Sequence, residues 1–148
     1  MCKLVAIFMF ACMLGCASTG LSGDALVMRD AQVSVHATAD TIEMLQSIAL
    51  VLYRVEQITQ VQIAQSSGET RAQATARVAS VRASWVPVWN AFTDARAVYA
   101  VTASLLATQP QPTAAAIQSA IDKQQASLAT LQSLLNLARD RNTQGSAP

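Results

Sequence analysis

Apolar side chains recur every three or four residues along most of this chain, which is the spacing of an amphipathic α-helix. The clearest run lies between residues 70 and 107, where two interleaved sets of residues each repeat every seven positions, as in a coiled-coil seam. This pattern predicts a long helix with one buried face. The two sets are Val78, Trp85, Phe92, Tyr99 and Leu106, and Val81, Val88, Ala95 and Thr102.

Two further stretches show the same helical period, from Asp40 to Gln65 and from about Pro112 to Arg141. Residues 48–53 are apolar all round, which predicts that this part of the first stretch is buried by more than one neighbour. The periodic residues are Ile42, Leu45, Ile48, Ala49, Leu52, Val55 and Ile58 in the first stretch, and Ile117, Ile121, Gln124, Leu128, Leu131, Leu135 and Ala138 in the second.

Residues 25–40 carry a less decisive pattern, because apolar and polar residues alternate there with the period of a strand. A lone strand is unstable and the sequence offers no second one to pair with it. We therefore interpret the segment as helix, with a break near Thr38 and a fresh helix start at Asp40, three residues before Glu43.

The connections between the helical stretches are short. Gly68 suits the left-handed position just past a helix end, and Thr70 with Gln73 can cap the next helix. Residues 108–113 contain two prolines and form the second turn. Short turns favour antiparallel neighbours, so we expect an all-α fold, an elongated antiparallel bundle of about three long helices over 25–141, followed by a loose tail, 142–148. In that topology the Gly68 turn lies far from residue 24, and Pro110 lies close to residue 24.

The second helix contains both tryptophans and a proline within five residues. Pro87 removes a backbone donor inside the helix and predicts a kink. One interpretation makes Trp85 a core residue, because it occupies the heptad seam, with Trp89 covering its flank. The other makes Trp85, Trp89 and Asn90 a contact patch beside the kink, where a groove can open between helices.

The chain begins with features of a secretory signal. A short start with one positive charge, Lys3, precedes eleven consecutive apolar residues from Leu4 to Leu14. Such a run suits the hydrophobic region of a signal peptide and is too short to cross a bilayer, which needs about 20 residues. Residues 1–15 are therefore expected to be removed.

The run ends in Met13-Leu14-Gly15-Cys16, which resembles the lipobox of bacterial lipoproteins, with Met13 in place of the usual Leu, Val or Ile. The resemblance implies that Cys16 is lipidated and becomes the first mature residue, on a flexible tether over 16–24. Ala17 then favours sorting to the outer membrane, facing the periplasm. Two alternatives remain: Cys16 is an ordinary cysteine after an ordinary signal, or Cys12 carries the lipid, although the bulky Phe10 fits that motif poorly.

Charge and composition limit the classes of function that we expect for this chain. Charged residues make up only 13% of the chain, and loss of Lys3 leaves nine basic against nine acidic side chains, so a nucleic-acid surface is not expected. The single histidine, His36, lies near Ser34 and Asp40, but residues two apart cannot face each other on one helix. We expect no catalytic residues, no metal site and no cofactor.

These observations favour a non-enzymatic envelope lipoprotein, held at the membrane by its lipid and acting as a structural or protein-interaction module with an envelope protein as partner. One alternative is a small-ligand carrier with an interhelical apolar pocket. Another is an envelope or lysis lipoprotein encoded by a phage. A carrier would hold polar groups converging on an interior cavity, whereas an interaction module would have a filled core.

Overall fold

A computed structural model describes residues 23–108 and 112–144 of the chain. These residues form three helices, α1 (Gly23–Ser66), α2 (Arg71–Leu106) and α3 (Ala114–Gln144). Each helix packs against the other two, so the described part is an all-α bundle, as predicted.

Helix α1 is unbroken from Gly23 to Ser66, so the expected break near Thr38 and the fresh start at Asp40 are wrong. The hydroxyl of Thr38 donates to the carbonyl of Ser34 at 2.9 Å, a bond that an α-helix accommodates. The alternation that suggested a strand mixes two faces of the helix, because Val35 is buried whereas Val33 is exposed. The helix also begins inside the predicted tether, whose residues 16–22 lie outside the described part of the chain.

Local signals end α1 and begin α2 where the sequence placed them. Gly68 has a φ of 68°, and the Glu69 amide donates to the carbonyl of Ala64 at 3.1 Å, which closes the last turn of α1. The Thr70 amide donates to the Gln73 side chain at 2.9 Å, and the Thr70 hydroxyl accepts from the Gln73 amide at 3.4 Å. This reciprocal pair is the capping box that the sequence predicted.

The core is built from the predicted seams of α2 and α3 together with one face of α1. Trp85 and Leu131 are both 0% exposed and lie at its centre. Burial of this apolar cluster supplies most of the stability of such a bundle, at roughly 25 cal/mol per Å² of surface removed from water. The cluster consists of Ile42, Leu45, Ala49, Val81, Trp85, Val88, Ala91, Phe92, Ala95, Leu131, Leu135 and Ala138.

The prediction that residues 48–53 are buried by more than one neighbour is wrong. Ile48, Leu50 and Val51 are exposed, and Val55 and Ile58, which were expected in the core, are exposed as well. The physical reason is that α2 and α3 cover only one side of α1, so a segment that is apolar all round has its opposite side left in water.

Helix α3 extends to Gln144, so the tail begins later than the predicted residue 142. The side-chain amide of Asn142 donates to the carbonyl of Leu52 at 3.2 Å, and Arg141 lies 3.7 Å from Glu56. These contacts hold the last turn of α3 against α1, although Asn and Thr are weak helix formers. They also show that α3 ends beside the Leu52–Glu56 turn of α1, short of the Gly68 turn.

The α1–α2 hairpin therefore continues past α3 as a pair of helices. Between residues 57 and 80 only Ala64 is buried. We call residues 57–80 the hairpin tip. Within it, Arg77 links α2 to the turn and to α1, because its guanidinium donates to both carboxylate oxygens of Glu69 and to the side chain of Gln60. The hydrogen bonds from Arg77 are the main cause that lowers the pKa of the Glu69 carboxyl. Desolvation opposes them, and the charge of Arg77 and a hydrogen bond from Ser67 add smaller lowering effects.

The ends of the bundle are arranged as the antiparallel topology requires. Forty-four helical residues span about 66 Å, so the Gly68 turn lies far from the start of α1, as predicted. Leu106 and Ala107, at the end of α2, line a groove with Arg29 near the start of α1. Pro110, which was expected near that end, lies outside the described residues.

Candidate functional site

Four aromatic rings from α1 and α2 form a cluster in the middle of the bundle. Tyr53 meets Trp85 edge-on at a centroid distance of 5.4 Å and Trp89 edge-on at 5.8 Å. Trp85 and Trp89 lie 5.5 Å apart, and Trp89 stacks on Phe92 at 6.0 Å. Aromatic pairs in these geometries stabilise a fold beyond the area they bury, by about 0.5–1.5 kcal/mol each.

A carboxylate lies against this cluster. The indole N–H of Trp85 donates to Oε2 of Glu56 at 2.5 Å, and Nε of Arg141 lies 3.7 Å from Oε1. The side chain of Glu56 is only 11% exposed, so both contacts are partly shielded from solvent. Next to it, the side-chain amide of Gln57 donates to the Tyr53 hydroxyl at 2.8 Å. The carboxylate thus ties one residue of α2 and one of α3 to α1.

The sequence placed Trp85, Trp89 and Asn90 in one candidate patch, and the structure gives them three different environments. Trp85 is fully buried, Trp89 is half-buried with its ring inside the aromatic cluster, and Asn90 is exposed. Helix α2 continues through Pro87, which is exposed. Cys16, the candidate lipidation site, lies outside the described residues.

Among the described residues, the carboxylates are dispersed, whereas Arg29, His36 and Tyr99 line one groove. His36 and Asp40 are exposed on α1, and Ser34 is half-buried. Across residues 23–108 and 112–144 no three His, Cys, Asp or Glu side chains come together in a group that could hold a metal ion. Glu56, the most buried carboxylate, already accepts the Trp85 hydrogen bond, which accounts for its position in structural terms.

Several surface grooves lie along the described part of the bundle. One, of about 420 Å³, runs between the end of α2 and the start of α3 and is lined mainly by small or apolar side chains, among them Ala97, Val101 and Ala120. Another lies between the start of α1 and the end of α2, where Arg29, His36 and Tyr99 contribute polar atoms. A third lies between α1 and α2 near the Gly68 turn, where Ile58 and Val61 face Val78 and Arg82. Neither Trp85 nor Trp89 lines these grooves.

A row of exposed apolar side chains follows α1, and we call it the outer stripe. Sequence reasoning missed it, because it assigned Ile48, Val55 and Ile58 to the core. A signal was present: these residues precede the core seam by one position and repeat at the same steps of three and four. The outer stripe consists of Met44, Ile48, Val51, Val55 and Ile58.

No protein-family model, curated protein or solved structure matches this chain. Among the described helices, none combines the length and the continuous apolar character needed to cross a bilayer. The fold and the surface of the chain itself therefore carry the functional argument.

Proposed function

We propose that this chain is an envelope lipoprotein that is anchored through Cys16 and acts as a non-enzymatic protein-interaction module. The observation that carries the proposal is the outer stripe. Five large apolar side chains lie side by side in water on a bundle whose core contains the fully buried Trp85 and Leu131. Exposed apolar rows of this kind mark binding surfaces in soluble domains.

The anchor rests on the amino terminus. Leu4–Leu14 has the length of a signal-peptide hydrophobic region, and the Leu14-Gly15-Cys16 sequence resembles the lipoprotein cleavage motif. An acylated cysteine buries several hydrocarbon chains at about 0.8 kcal/mol per CH₂, so the attachment is effectively permanent. Ala17 favours the outer membrane, with the bundle facing the periplasm.

The non-enzymatic part of the proposal is supported by the surroundings of the polar groups. Glu56 is already bonded to Trp85, and Glu69 to Arg77. His36 is exposed beside Val35 and Ala37, without a nucleophile facing it on α1. Catalysis by side chains requires a nucleophile, a base and a stabilising donor converging on one point, and these residues diverge.

The anchor is tested by expressing the full chain and a Cys16→Ser variant in a Gram-negative host. We expect the wild type to incorporate labelled palmitate and to sediment with outer membranes. The Cys16→Ser chain should incorporate no palmitate and leave the membrane fraction. Undiminished labelling of the variant would contradict lipidation at Cys16, and a Cys12→Ser chain provides the matched control.

The interaction surface is tested by placing a photo-cross-linking amino acid at Val51 or at Leu137 in the full chain. These two side chains are similarly exposed, at 61% and 55%, but only Val51 belongs to the outer stripe. We expect a specific cross-linked protein product from position 51 and none from position 137. Equal products at both positions, or none at position 51, would refute the module.

A second function, a carrier of small apolar ligands, is favoured by the groove between α2 and α3. Its lining is almost entirely apolar, and Ala116 and Ala120 leave room along α3. A fluorescent fatty acid tests the carrier function. Ala120→Trp should abolish its binding, whereas Ala129→Trp, on the exposed surface of α3, should preserve it. Unchanged binding in both variants would count against this groove.

A further inference from the structure

The outer stripe has the spacing of a second coiled-coil seam. Its members follow each other at steps of four, three, four and three residues, from Met44 to Ile58. The core seam of α1 uses the same steps and includes Leu45, Ala49 and Leu52, each one position later. Helix α1 therefore carries two adjacent apolar rows, of which one is packed inside the bundle. A row with this period is complementary to another helix with the same period.

Exposed apolar residues are concentrated on this one helix. Among the described residues, eleven large hydrophobic side chains are exposed, and eight of them lie on α1. The others are Val86 and Val101 on α2 and Leu137 on α3, which are scattered. Scattered exposure is ordinary for a soluble domain, whereas a contiguous row needs an explanation.

Few charges border the outer stripe. On α1 they are Arg54 and, next to Met44, Glu43, because Glu56 is buried. On α2, exposed Arg82 lines a groove together with Ile58 and Val61. Helices that lie on anionic membranes carry many Lys and Arg residues along the border of the apolar face, and α1 contains no lysine. A highly charged protein would find few opposite charges here. The surface therefore fits an apolar helix with few charges.

We propose that the outer stripe pairs with the outer stripe of a second copy of this chain, with the two α1 helices parallel and in register. The orientation rests on the proposed function, since two chains anchored in one membrane present α1 in the same direction. Six residues separate Cys16 from Gly23 and reach about 21 Å at most. One upright 66 Å helix cannot turn over against another on so short a connection.

A parallel pair brings each residue of the outer stripe opposite its own counterpart. Val51 faces Val51 of the second copy near the centre, and Ile58 faces Ile58 at one end, as in any twofold helix pair. Arg54 lies at the border of the seam and can remain in water.

The size of the contact agrees with a dimer that depends on the anchor. Five half-exposed apolar side chains present on the order of 400 Å² per copy, so the pair buries roughly 800–1,000 Å² in total. This is below the usual size of a stable interface between free proteins. Confinement to one membrane raises the effective concentration of the copies and compensates for the small area.

The pairing is tested by disulfide cross-linking of the full chain in intact membranes. Val51→Cys and Ile58→Cys each place one cysteine on the outer stripe. Leu137→Cys, on the exposed surface of α3, is the matched control, and the wild type reports any background from its own cysteines. We expect oxidation to give a product of twice the chain mass from Val51→Cys and Ile58→Cys. The Leu137→Cys chain should give at most a tenth of that yield.

A second pair of variants separates binding from chance encounters. Val51→Glu, combined with Ile58→Cys, should reduce the dimer at least tenfold, because it introduces a charge opposite its own counterpart. Leu137→Glu, combined with Ile58→Cys, should leave it unchanged. The proposal is overturned if Leu137→Cys cross-links as well as Val51→Cys, or if Val51→Glu has no effect. It is also overturned if neither stripe cysteine forms a dimer while a maleimide labels both.

Failure of this inference can be told apart from failure of the proposed function. If the photo-cross-linker at Val51 captures a protein of another mass and the cysteines do not pair, the module stands and self-association is wrong. If position 51 captures nothing at all, both are wrong. The Cys16→Ser fractionation reports on the anchor independently of either result. A dimer from mixed Met44→Cys and Ile58→Cys chains, without one from Ile58→Cys alone, would overturn the parallel arrangement.

Discussion

The indole N–H of Trp85 donates a 2.5 Å hydrogen bond to Oε2 of Glu56 and joins α2 to α1 inside the bundle. Both partners gain from this bond, because a buried indole N–H without an acceptor costs about 1–3 kcal/mol and a shielded carboxylate requires donors. Arg141 approaches the same carboxylate from α3. Three helices therefore meet at one side chain, next to the aromatic cluster.

Replacing Trp85 by Ala should be far more destabilising than replacing Trp89. Trp85 is 0% exposed, so its loss opens a cavity and removes a donor from Glu56, at a cost of about 3–5 kcal/mol. Trp89 is half-buried, and Trp89→Ala should cost about 1–2 kcal/mol. Urea unfolding of the two variants measures the difference. Equal midpoints for both variants and the wild type would contradict the packing role of Trp85.

Replacing Gln124 by Leu should stabilise the protein. Gln124 is 2% exposed, and neither its side-chain nitrogen nor its side-chain oxygen has a hydrogen-bond partner. A buried polar group in this state costs about 1–3 kcal/mol, which a leucine of similar volume removes. Thermal melting should show a higher Tm for Gln124→Leu, whereas the exposed control Gln125→Leu should change stability by less than about 0.5 kcal/mol. A lower Tm for Gln124→Leu would show that the amide makes a favourable contact.

The contribution of the Arg77–Glu69 pair in the hairpin tip to the stability of the fold should depend on pH. Hydrogen bonds from Arg77 hold the pKa of the Glu69 carboxyl below its ordinary value. Because the folded-state pKa is the lower one, the pair stabilises the fold at neutral pH, and this stabilisation disappears as the pH falls through the folded pKa. Arg77→Gln should therefore lower the Tm at pH 7, and this difference should shrink as the pH is lowered from 7 towards 3.

The matched control for this experiment is Arg71→Gln, on the exposed first turn of α2. It removes the same charge without touching Glu69. We expect its Tm to follow the wild type at every pH. If Arg77→Gln lowered the Tm by the same amount at pH 3 as at pH 7, the effect would come from packing of the arginine stem and not from the carboxylate.

The sequence by itself determined the three helices and most of the core. Gly68, Thr70 and Gln73 act on backbone groups within a few residues, so their roles follow from local geometry. The seven-residue repeat through Trp85 can also be recognised from the sequence of α2 alone, because any burial of α2 must use its one continuous apolar face. The unbroken course of α1 near Thr38 lay beyond such reasoning, since a hydroxyl can either cap a helix or bond within one.

Tertiary structure decided which side of α1 faces inward. Ile48 and Ala49 are both apolar and adjacent in sequence, yet Ala49 is buried and Ile48 is exposed, because the directions of α2 and α3 set the buried side. The burial of Glu56 was decided in the same way, by an indole 29 residues away along the chain. A heptad pattern fixes the spacing of an apolar row, but only the positions of neighbouring helices determine whether that row is covered or left open to a partner.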